Sequence, residues 1–463
     1  MNNILSEKEY QEFFLERLEE NGYRIASEKD YDRLFAVDRI RLFEFLEKTQ
    51  PDTMAALRKV YRDETEETIV NFINMEETKA RGSRLDVLKH GIDIANTHLN
   101  LMYTRPATPF NPELNKLYAE NIFSVSKEVW ASDKERIDVV IFLNGLAIAT
   151  FELKCNAAGQ SYEDAIWQYR NERYPTTRLF RFKAGALVNF AMDLEQVYMT
   201  TKLDKDSTYF LPFNQGSGEG INAGAGNPIY NDKYSVFYMW ENILQKDSLL
   251  EIISKFMYIE VKEKDKDSGK GVKESVIFPR YHQLDVIRKL LADVTVNKTS
   301  QNYLLQHSAG SGKTKEIAWL SHRLSSLHDA DDKIIFDNII VCTDRVAVDR
   351  QLQRAVTAIE HKAGLVKVLD EKCNSTDLAK ALDGNTKIIV TTIQKFPYIL
   401  DQVHNLKDKT FAVIIDEAHS STAGKNMNAV TQALGSESGD LDDIEEIIAS
   451  QIMRSGKQNP VSF

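Results

Sequence analysis

Only three cysteines occur among 463 residues, Cys155, Cys342 and Cys373, and they are widely separated with no CxxC pair. That spacing excludes a disulfide framework and a thiolate zinc site. Long apolar runs are missing as well: nothing approaches the roughly 18 to 20 uncharged apolar residues of a bilayer-spanning helix. The start, MNNILSEKEYQEFF, lacks the basic-then-apolar order of a secretion signal. A cytoplasmic protein is expected. Nor is there an excess of positive charge, since 58 basic residues stand against 69 acidic ones for a net charge of −11. A protein that coats DNA over its whole surface is thereby excluded, and any DNA binding must come from local basic patches or partner subunits. No internal repeat of fixed period is present, which sets solenoids and propellers aside.

What is present is the material of a globular protein: 43% hydrophobic and 27% charged residues. The length exceeds what one core spans, so two or three domains are expected. Tyr10, Phe13, Phe14, Leu15 and Leu18 recur at helical spacing, which predicts an amphipathic helix from Ser6 to Asn21, capped by Ser6 and stopped near Gly22. From Asn121 short apolar runs take over. IDVVIFL, turn residues LNG and LAIATFEL read as a strand, a tight turn and a second strand. A helix over Tyr162 to Arg173 and two strands in ALVNFAMDLEQVYMTT follow. The glycine-rich stretch 214–227 reads as a loop. VKEKDKDSGKGVKES reads as an interdomain linker. Domains are therefore expected at 1–260 and 278–463, joined by a linker at 261–277. Beyond it NYLLQ, a helix from Lys313, NIIVCT, a helix from Ala347 to Ile359, KIIVTT and FAVIID alternate, which predicts a parallel sheet covered by helices.

Two constellations carry chemistry. In YLLQHSAGSGKTKEIAWL, a short strand, a small-residue loop and a helix follow one another, the context of a phosphate-binding loop. Amides of Ala309, Gly310, Ser311 and Gly312 would face phosphate oxygens, Lys313 would supply a point charge, and Thr314 would offer a hydroxyl to Mg²⁺. His307 stands where the usual first glycine would be. A GKT tripeptide alone is a common entry into a helix. The pairing with Asp416-Glu417-Ala418-His419 about a hundred residues on, just past the apolar strand Phe411 to Ile415, is far more specific. There Asp416 would hold the metal and Glu417 would orient or deprotonate the attacking water of an ATPase.

The second constellation is Asp138, then Glu152 and Lys154 after thirteen intervening residues. Residues two apart on a strand share a face, and a hairpin would bring Asp138 beside them. Two carboxylates would hold a divalent metal that activates water, with Lys154 stabilising charge or positioning the nucleophile. Charged residues at strand ends are commonly solvated; a charged pair closing the apolar run LAIATFEL is harder to explain that way.

The motif order resembles superfamily 2 helicases and translocases. Gln283, in FPRYHQ, matches their adenine-reading glutamine, DEAH is their box, and VCTDRVAVDRQ and VTTIQKF match segments that contact the DNA backbone. The Asp138, Glu152, Lys154 triad resembles the PD-(D/E)xK nuclease core. Gln168 matches only the first residue of the QxxxY signature of its RecB-like branch, because position 172 is not tyrosine, and the role of Tyr174 stays open. A nuclease of this kind followed by such a motor is similar to the restriction subunit of type I restriction enzymes, with QHSAGSGKT, TDRVAVDRQ, DEAHSS and FLPFNQGSGEGINAGAGNP as supporting strings.

The resemblance implies an α/β protein with a restriction-endonuclease-like mixed sheet, then a P-loop RecA-like parallel sheet. It also implies ATP and Mg²⁺ as cofactors, double-stranded DNA as substrate, methyltransferase and specificity subunits as partners, and ATP-driven translocation with double-strand cleavage. Because the sequence stops at NPVSF, before a second RecA-like domain, little or no ATP turnover is expected of this chain. A catalytically silent DNA-binding scaffold and a standalone helicase-nuclease are the alternative readings; the nuclease-first order disfavours the second.

Overall fold

The computed structural model describes residues 4–106, 110–217, 225–262, 273–299, 301–308, 310–343, 350–359, 364–369, 373–392, 394–395 and 409–416. The chain divides into two compact units, Met1–His282 and Gln283–Phe463.

The first unit opens with helix α1, Glu7–Glu20, where the Ser6 side chain accepts a hydrogen bond from Glu9 N and Tyr10, Phe14, Leu15 and Leu18 are buried. Helices Arg39–Thr49, Pro51–Tyr61, Thr65–Thr78 and Arg84–His90 precede the central sheet. Its main strands are β1 (Phe123–Ser132), β2 (Glu135–Leu143) and β3 (Leu146–Leu153), then, after helix α2 (Tyr162–Asn171), β4 (Val188–Met192) and β5 (Val197–Thr200). The pairs β1/β2, β2/β3 and β4/β5 are antiparallel and β3/β4 is parallel, which makes the sheet mixed as expected. Short strands Arg24–Ile25 and Leu211–Pro212 extend it at either side.

Every residue of β3 is buried, so the sheet is covered on both faces and the strand reads as a continuous apolar run. Phe151 and Phe190 are register partners on adjacent strands and stack at 5.0 Å, with Phe14 of α1 against Phe151 on that face. Val140, Phe142, Ala165, Tyr169 and Phe180 pack together in a second cluster that includes α2. The turn between β2 and β3 is Asn144-Gly145, with φ of 50° and 80°. Two successive positive φ values are what a two-residue type I′ hairpin requires, and Asn-Gly is its favoured sequence.

The described parts of 261–277, expected as a linker, are strand. Tyr258–Lys262 pairs antiparallel with Lys273–Ile277. Thr201 Oγ1 donates to the Val276 carbonyl at 2.7 Å and Lys183 pairs with Glu274 at 2.6 Å. The buried side chains of Val276 and Ile277 require a core, which explains why this end is built into the first unit despite its polar neighbours.

In the second unit the helices are α3 (Tyr281–Asn297), α4 (Lys313–Ser325), α5 (Arg350–Ile359) and α6 (Ser375–Asp383). The strands β6 (Asn338–Thr343), β7 (Val366–Val368), β8 (Ile388–Thr392) and β9 (Phe411–Ile415) are all parallel, in the order β7-β8-β6-β9. β6 and β8, the central pair, are buried throughout. This is the predicted P-loop, RecA-like sheet. NYLLQ differs from expectation: only Leu304 takes part in a bridge, and 302–306 forms no named strand. No helix among the described residues is long and apolar enough to cross a membrane.

Candidate functional site

The β2/β3 register pairs Val139 with Phe151, and one further step along it sets Asp138 beside Glu152. The hairpin thus brings together the three residues singled out by spacing. Asp138 Oδ2 accepts a hydrogen bond from Leu153 N at 2.7 Å. Asp138 is 8% exposed, Glu152 0% and Lys154 2%. Burial pushes the Asp138 carboxyl up to about 6, against the pull of Lys154 and of the Leu153 N–H and with a further push from Glu7. Glu152 is raised well above the usual carboxylate range, first by burial and then by Asp138, while Arg173 and Lys154 oppose the rise.

Two partners of this centre were not legible in the sequence. Glu7, in the first turn of α1, meets Lys154 Nζ at 2.9 Å. Arg173, just past α2, meets Glu152 Oε1 with Nε at 2.7 Å and Nη2 at 2.5 Å. Glu7 lies 131 positions before Asp138, and no local spacing links them. Arg173 sits beside the QxxxY comparison but carries none of its residues. Tyr169 is buried and its hydroxyl bonds Thr150 Oγ1 at 2.9 Å, while Thr150 also donates to Asn189 Oδ1 at 2.7 Å. That network ties α2 to β3 and β4. Tyr174 is 46% exposed, with the Lys205 ammonium 3.3 Å from its ring centre. Gln168 Oε1 is buried and has no hydrogen-bond partner among the described residues.

The donor set fits a hard divalent cation, which prefers carboxylate oxygen. Among the described residues Glu152 Oε2 is buried without a hydrogen-bond partner, an orphaned acceptor of the kind a cation satisfies. Three carboxylates, Asp138, Glu152 and Glu7, against two cations, Lys154 and Arg173, leave the cluster short of positive charge.

In the second unit, Gly310 and Gly312 have φ of +80° and +96°, and Lys313 and Thr314 open α4. A Cβ on Gly312 would stand 2.4 Å from Gln283 Nε2 and displace that side chain, while the positive φ itself favours glycine there. Gln283 is buried on α3 and donates to the Ser311 and Gly312 carbonyls at 3.2 and 3.3 Å. Sequence reasoning picked out this residue but not its bond to the loop. His307, in the position of the usual first glycine, holds Glu316 of α4 through Nδ1 at 3.0 to 3.1 Å. That hydrogen bond raises the imidazole pKa against the opposing effect of burial. Asp416 follows the end of β9, where its N–H donates to the Cys342 carbonyl at 2.9 Å. Ala309 and Glu417 lie outside the described residues, as do 344–349 of VCTDRVAVDRQ and Ile393 and Phe396 of VTTIQKF.

Residues 4–208 match the family model described as Type I restriction enzyme R protein N terminus, and residues 282–438 match SWI2/SNF2 ATPase. The first part of the chain is thus similar to the N terminus of type I restriction enzyme R proteins, and the second part to SWI2/SNF2 ATPases. The chain is similar to the type I restriction enzyme MjaVIIP endonuclease subunit of Methanocaldococcus jannaschii, 28% identical over 280 residues, covering 57% of this chain and 24% of the relative. It is also similar to the type I restriction enzyme SsaAORF53P endonuclease subunit of Staphylococcus saprophyticus, 26% identical over 326 residues, covering 68% and 31%. The chain thus spans about a quarter to a third of the length of these curated relatives. Among solved structures, the UvsW helicase from bacteriophage T4 aligns with a TM-score of 0.25 and 18% identity over 35% of this chain and 50% of that one, too weak a likeness to carry an argument.

Proposed function

We propose that this chain is the part of a type I restriction subunit that cuts duplex DNA with a divalent metal, Mg²⁺ in the cell, and binds ATP for translocation. The observation that carries the nuclease reading is the buried convergence of Asp138, Glu152 and Lys154 at one end of the β2/β3 hairpin. Asp138 and Glu152 Oε2 would hold the metal. Bound there, a divalent cation supplies an activated water and neutralises charge on the scissile phosphate. The Leu153 N–H fixes the Asp138 carboxylate, and Lys154, steadied by Glu7, presents an ammonium to the phosphate oxygens or to the attacking water.

In the second unit, Gly310, Ser311, Gly312 and Lys313 would cradle the ATP phosphates. Thr314 and Asp416 would hold Mg²⁺, Glu417 would act on the attacking water, and Gln283 would reach the adenine. Methyltransferase and specificity subunits are the proposed partners, in keeping with the similarity to type I restriction enzyme R proteins.

The test is metal-dependent nicking of supercoiled plasmid. Asp138→Ala and Lys154→Ala are each expected to lower the rate at least a hundredfold, in keeping with the cost of removing a charge-stabilising group from a catalytic site, about 10²–10³. Nicking that persists unchanged in both variants would instead support the silent scaffold.

A further inference from the structure

We propose that Arg173 is the positioning residue of the nuclease centre, holding Glu152 through one oxygen so that the other faces the metal. The inference rests on the nuclease reading and deepens it. Both Nε and Nη2 of Arg173 converge on Oε1 of Glu152, at 2.7 and 2.5 Å, while Oε2 has no hydrogen-bond partner among the described residues. Two donors on a single oxygen fix the carboxylate's rotation as well as its charge. Glu152 is thereby presented as a one-oxygen ligand, turned toward the neighbouring Asp138.

Arg173 is itself delivered by a rigid segment. Glu135, at the start of β2 and buried, accepts hydrogen bonds from Tyr174 N at 2.6 Å, from Ser132 Oγ at 2.6 Å and from the Thr177 hydroxyl. The residues immediately after Arg173 are therefore stapled to the strand that carries Asp138. Glu172 closes α2, its N–H bonding the Gln168 carbonyl. The Arg173 carbonyl also receives Lys205 Nζ at 3.5 Å. Partners of this outer kind orient a metal ligand, and their loss typically weakens metal binding about 10- to 100-fold.

The position gives two opposite expectations that one measurement separates. If Arg173 only balances charge, removing it lifts repulsion on an incoming cation and Mn²⁺ binds more tightly. If it orients Glu152, removing it lets the carboxylate turn away and Mn²⁺ binds more weakly. The experiment titrates Mn²⁺ into the full chain at pH 8 and follows free Mn²⁺ by electron paramagnetic resonance, with thermal melting of each metal-free variant alongside. The Asp138→Ala variant serves as the reference for the site.

The expected result is a site abolished by Asp138→Ala and weakened about 10- to 100-fold by Arg173→Gln, with Arg173→Lys recovering only part of the loss because one ammonium cannot replace the two-donor fork. Unchanged or tighter Mn²⁺ binding in Arg173→Gln with native melting overturns the positioning role while leaving the nuclease reading intact. A wild-type chain whose Mn²⁺ binding is indifferent to Asp138→Ala overturns both. Should Arg173→Gln fail to fold, Arg173→Lys decides: native melting with weakened binding supports the role, and native melting with wild-type binding overturns it.

Discussion

At the scale of single residues, the proposed nuclease centre consists of charges the fold has taken out of water. Asp138 is the clearest case, an acid whose carboxyl is pushed up to about 6 by burial, opposed chiefly by Lys154. Its ordinary value of 3.8 applies in the unfolded chain. Between about pH 4 and 6 the folded state therefore holds more protons than the unfolded one, and stability falls as pH rises through that window, by up to about 3 kcal/mol. Asp138→Asn cannot ionise, so it should be more stable than the wild type at pH 7 and should lose that advantage near pH 4.5. Urea unfolding of both proteins without divalent ions at the two pH values measures this; a wild-type-to-variant difference that does not change with pH would refute it. The same protonation competes with a cation, so Mn²⁺ affinity should drop as pH falls below about 6.

At the scale of elements, the β2/β3 hairpin is the device that assembles the site. Its turn admits little change. Gly145 has φ of +80°, and a Cβ there would meet the Asp38 carbonyl at 2.4 Å and Leu42 N at 2.6 Å. The preceding Asn144 is equally committed: its Oδ1 accepts from Ile122 N at 2.7 Å and its Nδ2 donates to the Leu101 carbonyl at 2.8 Å. Gly145→Ala is expected to cost about 2–3 kcal/mol of stability, through strain and displaced backbone together. Chemical denaturation checks it, and a loss under about 0.5 kcal/mol would show that the turn relaxes freely. The register is what matters for function, since a slip of one residue would turn Glu152 to the other face of the sheet.

At the scale of the whole molecule, each of the two units has its own core and, on the proposed reading, its own chemistry. Each proposed ligand set lies within one unit, so substitutions in one are expected to leave ligand binding by the other unchanged. Lys313→Ala should weaken ATP binding about 10- to 100-fold, the worth of a hydrogen bond to a charged group, and leave Mn²⁺ binding at Asp138 untouched. Asp138→Asn should do the reverse. Isothermal titration of both variants with ATP and with Mn²⁺ gives the four numbers, and ATP affinity unaffected by Lys313→Ala would remove the phosphate-loop assignment.

Local sequence by itself determined the elements whose signals are local. The Ser6 cap and apolar spacing of α1, the Asn-Gly turn, the helix from Tyr162, and the order of the strands β6, β8 and β9 all follow from short-range periodicity, capping and turn chemistry. The triad was also legible, because a hairpin converts a sequence spacing into a spatial one. Only the tertiary structure decided what those three residues touch. Glu7 and Arg173 reach the centre from α1 and from the end of α2, where charge and burial pair them with Lys154 and Glu152. It also decided that Gln283 bonds the phosphate loop and that Lys273–Ile277 joins the first unit as strand. Contacts across long stretches of chain leave no periodicity to read, because they are selected by packing and by the cost of leaving a buried charge unpaired.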